Sequence, residues 1–292
     1  MEEWTGRGIG VAILDTGIAP HIDFDHRLKG FADFVYRKRY PYDDNGHGTH
    51  VAGIIGGSGR VSQGQYRGIA PGCHMVGMKV LDRYGNGRKE DVLQAFLWLR
   101  RNYKSYGIRI VNISVGTTCN TWREHRALIA GVEQLWDQGL VVVAAAGNQG
   151  PAPGSITAPG SSRKIITVGS SDMIREHKGI SGRGPTLECV CKPDIVAPGH
   201  EIVSCSSYRN GYTVKSGTSM STPYVSGAIA LLLEKEPELT NAEVKLRLKD
   251  CAEDLGLPHN LQGWGKFSLK NFINPEPAAA ETKIFDERTE FV

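Results

Sequence analysis

The sequence lacks any apolar run of the roughly 20 residues needed to cross a bilayer, so it carries no sign of a membrane span. It also lacks a strong charge of one sign. Thirty-four Lys and Arg stand against 31 Asp and Glu, a formal +3. That balance is too mild to mark a partner of nucleic acid or of an anionic membrane. The six cysteines, Cys73, Cys119, Cys189, Cys191, Cys205 and Cys251, show no C-x-x-C spacing and no zinc-type histidine pairing. They read as free, mostly buried thiols in a reducing compartment rather than as a disulfide framework. The N-terminal Met1-Glu-Glu-Trp-Thr-Gly-Arg-Gly has no apolar stretch of the signal-peptide kind. A cytoplasmic location is therefore expected, or a secreted one if an upstream segment has been removed. No internal repeat is visible, and no linker divides the chain before its last stretch.

What is present is an ordinary globular composition over 292 residues, 40% hydrophobic and 22% charged. That length supports one large domain with a substantial core. Ile9 to Leu14, Met75 to Val80, Arg109 to Val115, Leu140 to Ala146 and Ile165 to Val168 are short apolar runs, the pattern of buried parallel strands. Between them, His47 to about Gly56, Lys89 to Tyr106 and Thr121 to Gln138 carry helical spacing. Tyr224 to Leu233 is a small, apolar run that reads as a buried helix. Thr240-Asn-Ala-Glu243 is a capping-box signature opening another helix. Residues 20–46 read as surface loops and short strands, with Tyr36-Arg-Lys-Arg-Tyr40 a solvated loop and Asp43 and Asp44 as loop decoration. Strands alternating with helices predict an α/β domain over residues 1–274, with a largely parallel central sheet and helices on both faces. Residues 275–292 dissolve into Pro, Ala and charge and read as a flexible tail.

Three stretches carry chemistry. Val11-Ala-Ile-Leu-Asp15-Thr-Gly17 ends a strand in a carboxylate, where open α/β sheets place functional groups. Asn45-Gly-His47-Gly-Thr-His-Val-Ala-Gly53 heads a helix with a histidine. Gly217-Thr-Ser219-Met-Ser-Thr-Pro223 sets a serine at or before the first turn of the buried helix. Taken alone, that serine reads as an N-cap, which is far commoner than a nucleophile. A serine hydroxyl becomes a nucleophile only with a base in reach, a group that orients the base, and donors aimed at the oxyanion. Ala144-Ala-Ala-Gly147-Asn148 offers an amide donor in a glycine-flanked turn.

In that order, Asp15, His47 and Ser219 with their flanking residues resemble the three motifs of the subtilisin-like serine proteases, over about residues 8–272. The resemblance implies a three-layer α/β fold and a serine endopeptidase working through an acyl-enzyme. It makes Ser219 the nucleophile, His47 the general base and Asp15 its support. Asn148 and the Ser219 N–H become the oxyanion hole. It reads His50 as a satisfied, structural histidine. No cofactor is implied for the chemistry. Asp23 resembles a family calcium ligand, but the loop Gly57 to Arg67 lacks the Asn-rich pattern, so the sequence does not support that metal. With the first strand beginning within ten residues of Met1, the long N-terminal propeptide usual in the family is not expected, and together with the cysteines and the missing signal this looks most like the cytosolic branch. The competing readings are a pseudoprotease scaffold and an α/β-hydrolase; the latter lacks its Gly-x-Ser-x-Gly elbow and has another chain order.

The implied partner is a peptide or protein bound as an extended strand. One edge of the groove would be Ser114, Val115 and Gly116, the other Gly85, Asn86 and Gly87. The S1 pocket would lie between the first edge and Ala145, Ala146 and Gly147, with Thr157 at its base and Gln149 at its rim. No charged residue lines it, so uncharged, medium to large apolar P1 residues are expected. Arg88 and Lys89 fall near S4, over Val92 and Val115, and would weakly favour an acidic P4.

Overall fold

A computed structural model describes residues 4–117, 122–174 and 179–275. The expected tail from residue 276 onward and Cys119 lie outside the described residues. Strands β1 (Gly10–Asp15), β2 (Leu28–Asp33), β3 (His74–Lys79), β4 (Ile108–Ile113), β5 (Val141–Ala145), β6 (Ile166–Ser170) and β7 (Ile195–Ala197) form one parallel sheet, ordered β2-β3-β1-β4-β5-β6-β7. β8 (Ile202–Cys205) and β9 (Tyr212–Lys215) make a separate antiparallel hairpin.

Alternation along each strand sorts its side chains into two cores. Val11 and Ile13 of β1 pack with Ile55 of α1 (His47–Gly56) and with Val225 and Ile229 of α4 (Thr218–Lys235). Ala12 and Leu14 face the other way, toward Phe96 and Leu99 of α2 (Lys89–Asn102) and Val132 and Leu135 of α3 (Trp122–Asp137). The result is three layers with helices on both faces of the sheet. α4 is apolar almost all round and buried along nearly its whole length, as a helix without a polar face must be. The smaller α5 (Asn241–Asp250), α6 (His259–Gln262) and α7 (Leu269–Ile273) close the domain. α5 opens with the capping box that Thr240 and Glu243 announce. No described helix is long and apolar enough to cross a membrane.

The strand order reverses direction at β1, between β3 and β4. Ligand sites of open α/β sheets gather at the carboxyl ends of the strands at such a switch point. Asp15 ends β1 there, Ser114 directly follows β4, and Asn148 follows β5 within three residues.

The hairpin is fastened to α1 by side chains from both: the Ser204 hydroxyl of β8 donates to the His50 carbonyl at 2.8 Å, and the His50 ring reaches back to the hairpin. His50 is fully buried, and its Nε2 lies 3.0 Å from the Ile202 carbonyl and 3.1 Å from that of Thr213. That geometry requires the proton on Nε2; Nδ1 has no hydrogen-bond partner among the described residues. Burial, aided by the nearby charges of Lys215 and His47, lowers the pKa to about 4. The folded pKa lies below the unfolded value of 6.5, so the contribution of His50 to stability is full above pH 6.5. It is lost as pH falls toward 4, roughly 3 kcal/mol over that window. Urea unfolding at pH 7, 5.5 and 4 should follow this loss, and His50→Gln should flatten it while lowering stability at pH 7. An equal pH dependence in the variant would remove His50 as the cause.

Candidate active site

Asp15 has no solvent exposure. A carboxylate there is sustained by converging donors. The Thr16 N–H reaches Oδ1 at 2.7 Å, and His47 Nδ1 lies 2.7 Å from the same oxygen. His47 is the first residue of α1 and remains partly exposed. Burial alone would lower its pKa. The charge and hydrogen bond of Asp15 outweigh that effect, and the pKa is raised above 6.5; Lys215 opposes the rise and Asp43 adds to it. With Nδ1 donating to Asp15, the neutral ring carries its lone pair on Nε2.

Ser219 is the second residue of α4, where backbone N–H groups lack intrahelical acceptors. Its hydroxyl donates to the Ser114 carbonyl at 2.9 Å, not to His47. Asn148 is tied to the same helix start: its Oδ1 accepts from both the N–H and the hydroxyl of Thr218, each at 3.0 Å. Thr218 Oγ1 accepts in turn from the Gly147 N–H at 3.2 Å. The oxygen of the Asn148 amide is thus committed, and Nδ2 faces Gly217. A Cβ at Gly217 would sit 3.0 Å from Nδ2, and its φ is +147°, so both space and backbone require glycine there.

A cleft of about 640 Å³ runs from His47 between Ser114–Thr117 on one side and Gly85–Gly87 on the other. Of the residues read from sequence as substrate-binding, Ser114, Val115, Gly116, Gly85 and Gly87 line it; Ala145, Gly147 and Thr157 do not. Ala145 and Thr157 are buried. Thr157 fills the space between Gly116 and Gly147, its Oγ1 standing 2.2 and 2.6 Å from where their Cβ atoms would be. Sequence reading missed Leu81, Ile113, Leu128, Ala158 and Pro159, which make the cleft walls largely apolar with Val92 and Val115. Arg88 does not stand ready for an acidic ligand. Its guanidinium makes two 2.9 Å hydrogen bonds to the buried Asp91 carboxylate, and Lys89 lies 3.6 Å from Glu90. The physical basis expected for an acidic P4 is therefore weakened within the protein itself.

The sequence profile of the subtilase family matches residues 6–265. The chain belongs to this family of serine proteases. Serine protease AprX of Bacillus subtilis (strain 168) is 42% identical over 295 residues, covering 92% of this chain and 67% of that one. Subtilisin Savinase of Lederbergia lenta is 37% identical over 262 residues, 89% of each. Alkaline elastase YaB of Bacillus sp. (strain YaB) is also 37% identical, but the chain spans only 61% of its length. The solved structure of a cold adapted subtilisin-like serine proteinase superposes with a TM-score of 0.75 at 31% identity, covering 92% of this chain and 89% of that one.

Asp23 is the residue that resembles a calcium ligand of the family, and its surroundings do not fit that ion. Oδ1 accepts from the Val61 N–H at 3.0 Å and faces the Ser58 hydroxyl at 3.5 Å; Oδ2 accepts from the Tyr212 hydroxyl at 2.6 Å and faces the Cys205 thiol at 3.8 Å. Burial works to raise the Asp23 pKa, but Tyr212 and Val61 outweigh it and the net shift is downward. Calcium takes six to eight oxygen ligands. Among the described His, Cys, Asp and Glu side chains, those grouped with Asp23 are instead the Cys205 thiol and the His21 imidazole, with no second carboxylate. Burial pushes that thiol's pKa up. Both ring nitrogens of His21 are engaged, Nδ1 by the Asp23 N–H and Nε2 by the Gly211 carbonyl. Tm is accordingly expected to be the same in EDTA and in excess calcium. Tyr212→Phe, which leaves Asp23 short of a donor, should cost about 1–3 kcal/mol. A calcium-dependent rise in Tm that disappears in Asp23→Asn would refute this.

Proposed function

We propose that the chain is a serine endopeptidase in which Ser219 is the nucleophile, His47 the general base and Asp15 the group that orients it. The observation that carries this reading is the 2.7 Å contact between buried Asp15 and His47 at the head of a cleft whose wall, Ser114, also holds the Ser219 hydroxyl. A substrate carbonyl entering the cleft draws the hydroxyl from Ser114 toward His47 Nε2. The Ser219 oxygen attacks the carbonyl carbon as its proton passes to Nε2. The resulting oxyanion is met by Asn148 Nδ2 and the Ser219 N–H. Collapse expels the amine, which takes the proton from His47, and leaves an acyl-enzyme. Water then enters and attacks the acyl carbon as His47 takes its proton; His47 returns that proton to the Ser219 oxygen as the C–O bond breaks and the acid product departs. Asp15 keeps the ring in the productive tautomer and stabilises the transient imidazolium.

The substrate is an extended peptide lying between Ser114–Gly116 and Gly85–Gly87. Uncharged P1 residues such as Leu, Met, Phe or Tyr are expected because neither Thr157 nor Gln149, placed at the base and rim of S1, is charged. A buried cation or anion beside them would be desolvated without a counter-charge. Five cysteines among the described residues are unpaired, two of them exposed, which supports work in a reducing compartment.

Ser219→Ala is expected to abolish peptide hydrolysis and fluorophosphonate labelling without unfolding the protein; residual wild-type turnover would sink the reading. Asn148→Ala should lower kcat by about 10²–10³ with little change in KM, since its donor acts on the transition state. Profiling kcat/KM over a tetrapeptide library tests both ends of the groove: a dominant Lys, Arg or Glu at P1 would contradict an S1 pocket based on Thr157 and Gln149, and a P4 preference should be insensitive to salt now that Arg88 is bound to Asp91.

A further inference from the structure

We propose that Asp43 is a positioning residue that holds the Asp15–His47 pair in place, with Thr16 as its link to Asp15. The proposal rests on the catalytic reading of Asp15, His47 and Ser219. Asp43 is only 9% exposed and stands four residues before His47. Its single carboxylate takes five hydrogen bonds. Oδ1 accepts from the Thr16 hydroxyl at 2.8 Å, the Gly46 N–H at 2.8 Å and the Asn45 N–H at 3.1 Å. Oδ2 accepts from the Thr49 N–H at 2.8 Å and the Thr49 hydroxyl at 2.6 Å. The donors fall into two sets. Gly46, Asn45 and Thr49 belong to the start of α1 and carry His47. Thr16 belongs to the exit of β1 and carries Asp15.

The Thr16 hydroxyl closes the circuit from the other side. While it donates to Asp43 it accepts from the Gly48 N–H at 2.9 Å, one residue beyond His47. The Thr16 N–H meanwhile donates to Asp15 Oδ1, the oxygen that His47 Nδ1 contacts. A second strut fixes the Thr16 main chain. Lys79, fully buried, donates to the Thr16 carbonyl at 2.6 Å, the Leu81 carbonyl at 2.8 Å and Asp44 Oδ1 at 2.7 Å. Asp43 and Asp44 thus both anchor the loop entering α1 to the end of β1, where the loop would otherwise set the position of His47 loosely.

A carboxylate is required here because all of its neighbours donate. An asparagine in the same place presents an NH2 to donors on one side, so either the α1 set or Thr16 loses its acceptor. Removing the charge also acts on His47 directly. The ionisable groups facing that ring are Asp15 from β1, Asp43 from the preceding loop, Lys215 from β9 and His50 one turn along α1. With Asp43 neutral, Lys215 is less opposed and the His47 pKa drops.

The test is Asp43→Asn, with folding verified by circular dichroism and urea unfolding. Its kcat should fall by about 10–100-fold, the scale of a small misplacement of catalytic groups. KM should stay within about twofold, since Asp43 does not line the cleft. The acid limb of the kcat/KM profile should move to lower pH. Thr16→Val, which cuts the link without removing a charge, should lower kcat and leave the acid limb where it is. The double variant should be no worse than the more damaged single one. Wild-type kcat and an unmoved acid limb in Asp43→Asn overturn the proposal, as do losses that simply multiply in the double variant. If Asp43→Asn does not fold, Thr16→Val decides alone, and wild-type kcat in it is the overturning result. Ser219→Ala separates the two readings: activity surviving there fails the catalytic reading itself, whatever Asp43 does.

Discussion

A buried carboxylate against a half-exposed imidazole is an unstable arrangement unless everything around it is fixed. Asp15 sits at zero exposure with one oxygen shared between His47 Nδ1 and the Thr16 N–H and the other without a hydrogen-bond partner among the described residues. Losing His47 from that contact would leave a charge buried and uncompensated, which costs several kcal/mol. The architecture answers this constraint in layers. β1 is central in the sheet and buried on both faces, so the Asp15 backbone has little freedom. α1 is held on one side by the Asp43 carboxylate and on the other by His50 against the β8–β9 hairpin. The same hairpin then delivers the chain to Gly217 and Ser219. The position of the serine and that of the histidine are therefore coupled through a piece of structure that belongs to neither.

The cleft shows the opposite strategy. Several of the polar groups around it are already committed: Arg88 to Asp91, the Asn148 oxygen to Thr218, the Ser219 hydroxyl to Ser114. The walls are otherwise largely apolar, with main chain at Ser114–Gly116 and Gly85–Gly87. Under the proposed reading such a site would bind the extended backbone common to all peptides and sort side chains mainly by size and polarity.

Much of this was legible in the sequence where the information is local. Continuous apolar runs gave β1, β3, β4, β5 and β6 because interior parallel strands are buried on both faces. The contiguous stretches around Asp15, His47, Asn148 and Ser219 could be read as chemistry because each combines a reactive type with glycines or small residues. The failures are long-range. β2 is only partly buried, β7 spans three residues, and the hairpin is short and half exposed, so none carries a period strong enough to see. Asp43 and Asp44 read as loop decoration because two adjacent acids before a glycine are usually solvated. Their real partners, Thr16 and Lys79, lie 27 and 35 residues away. Ala158 and Pro159 joined the cleft only when the loop after β5 folded back beneath Thr117.

The placement of Ser219 at the head of α4 has a consequence for motion. Loops and hairpins open by themselves many times before a domain unfolds, and peripheral helices fray from their ends. α4 is enclosed by the central sheet on one side and by α1 and α7 on others, so it has no independent way out. Its interior amides are expected to exchange with solvent on the timescale of the whole domain's unfolding, whereas those of its first turn lack intrahelical acceptors and are not protected in that way. Ser219 is thus seated on one of the last elements to come apart: the platform beneath it lasts as long as the core.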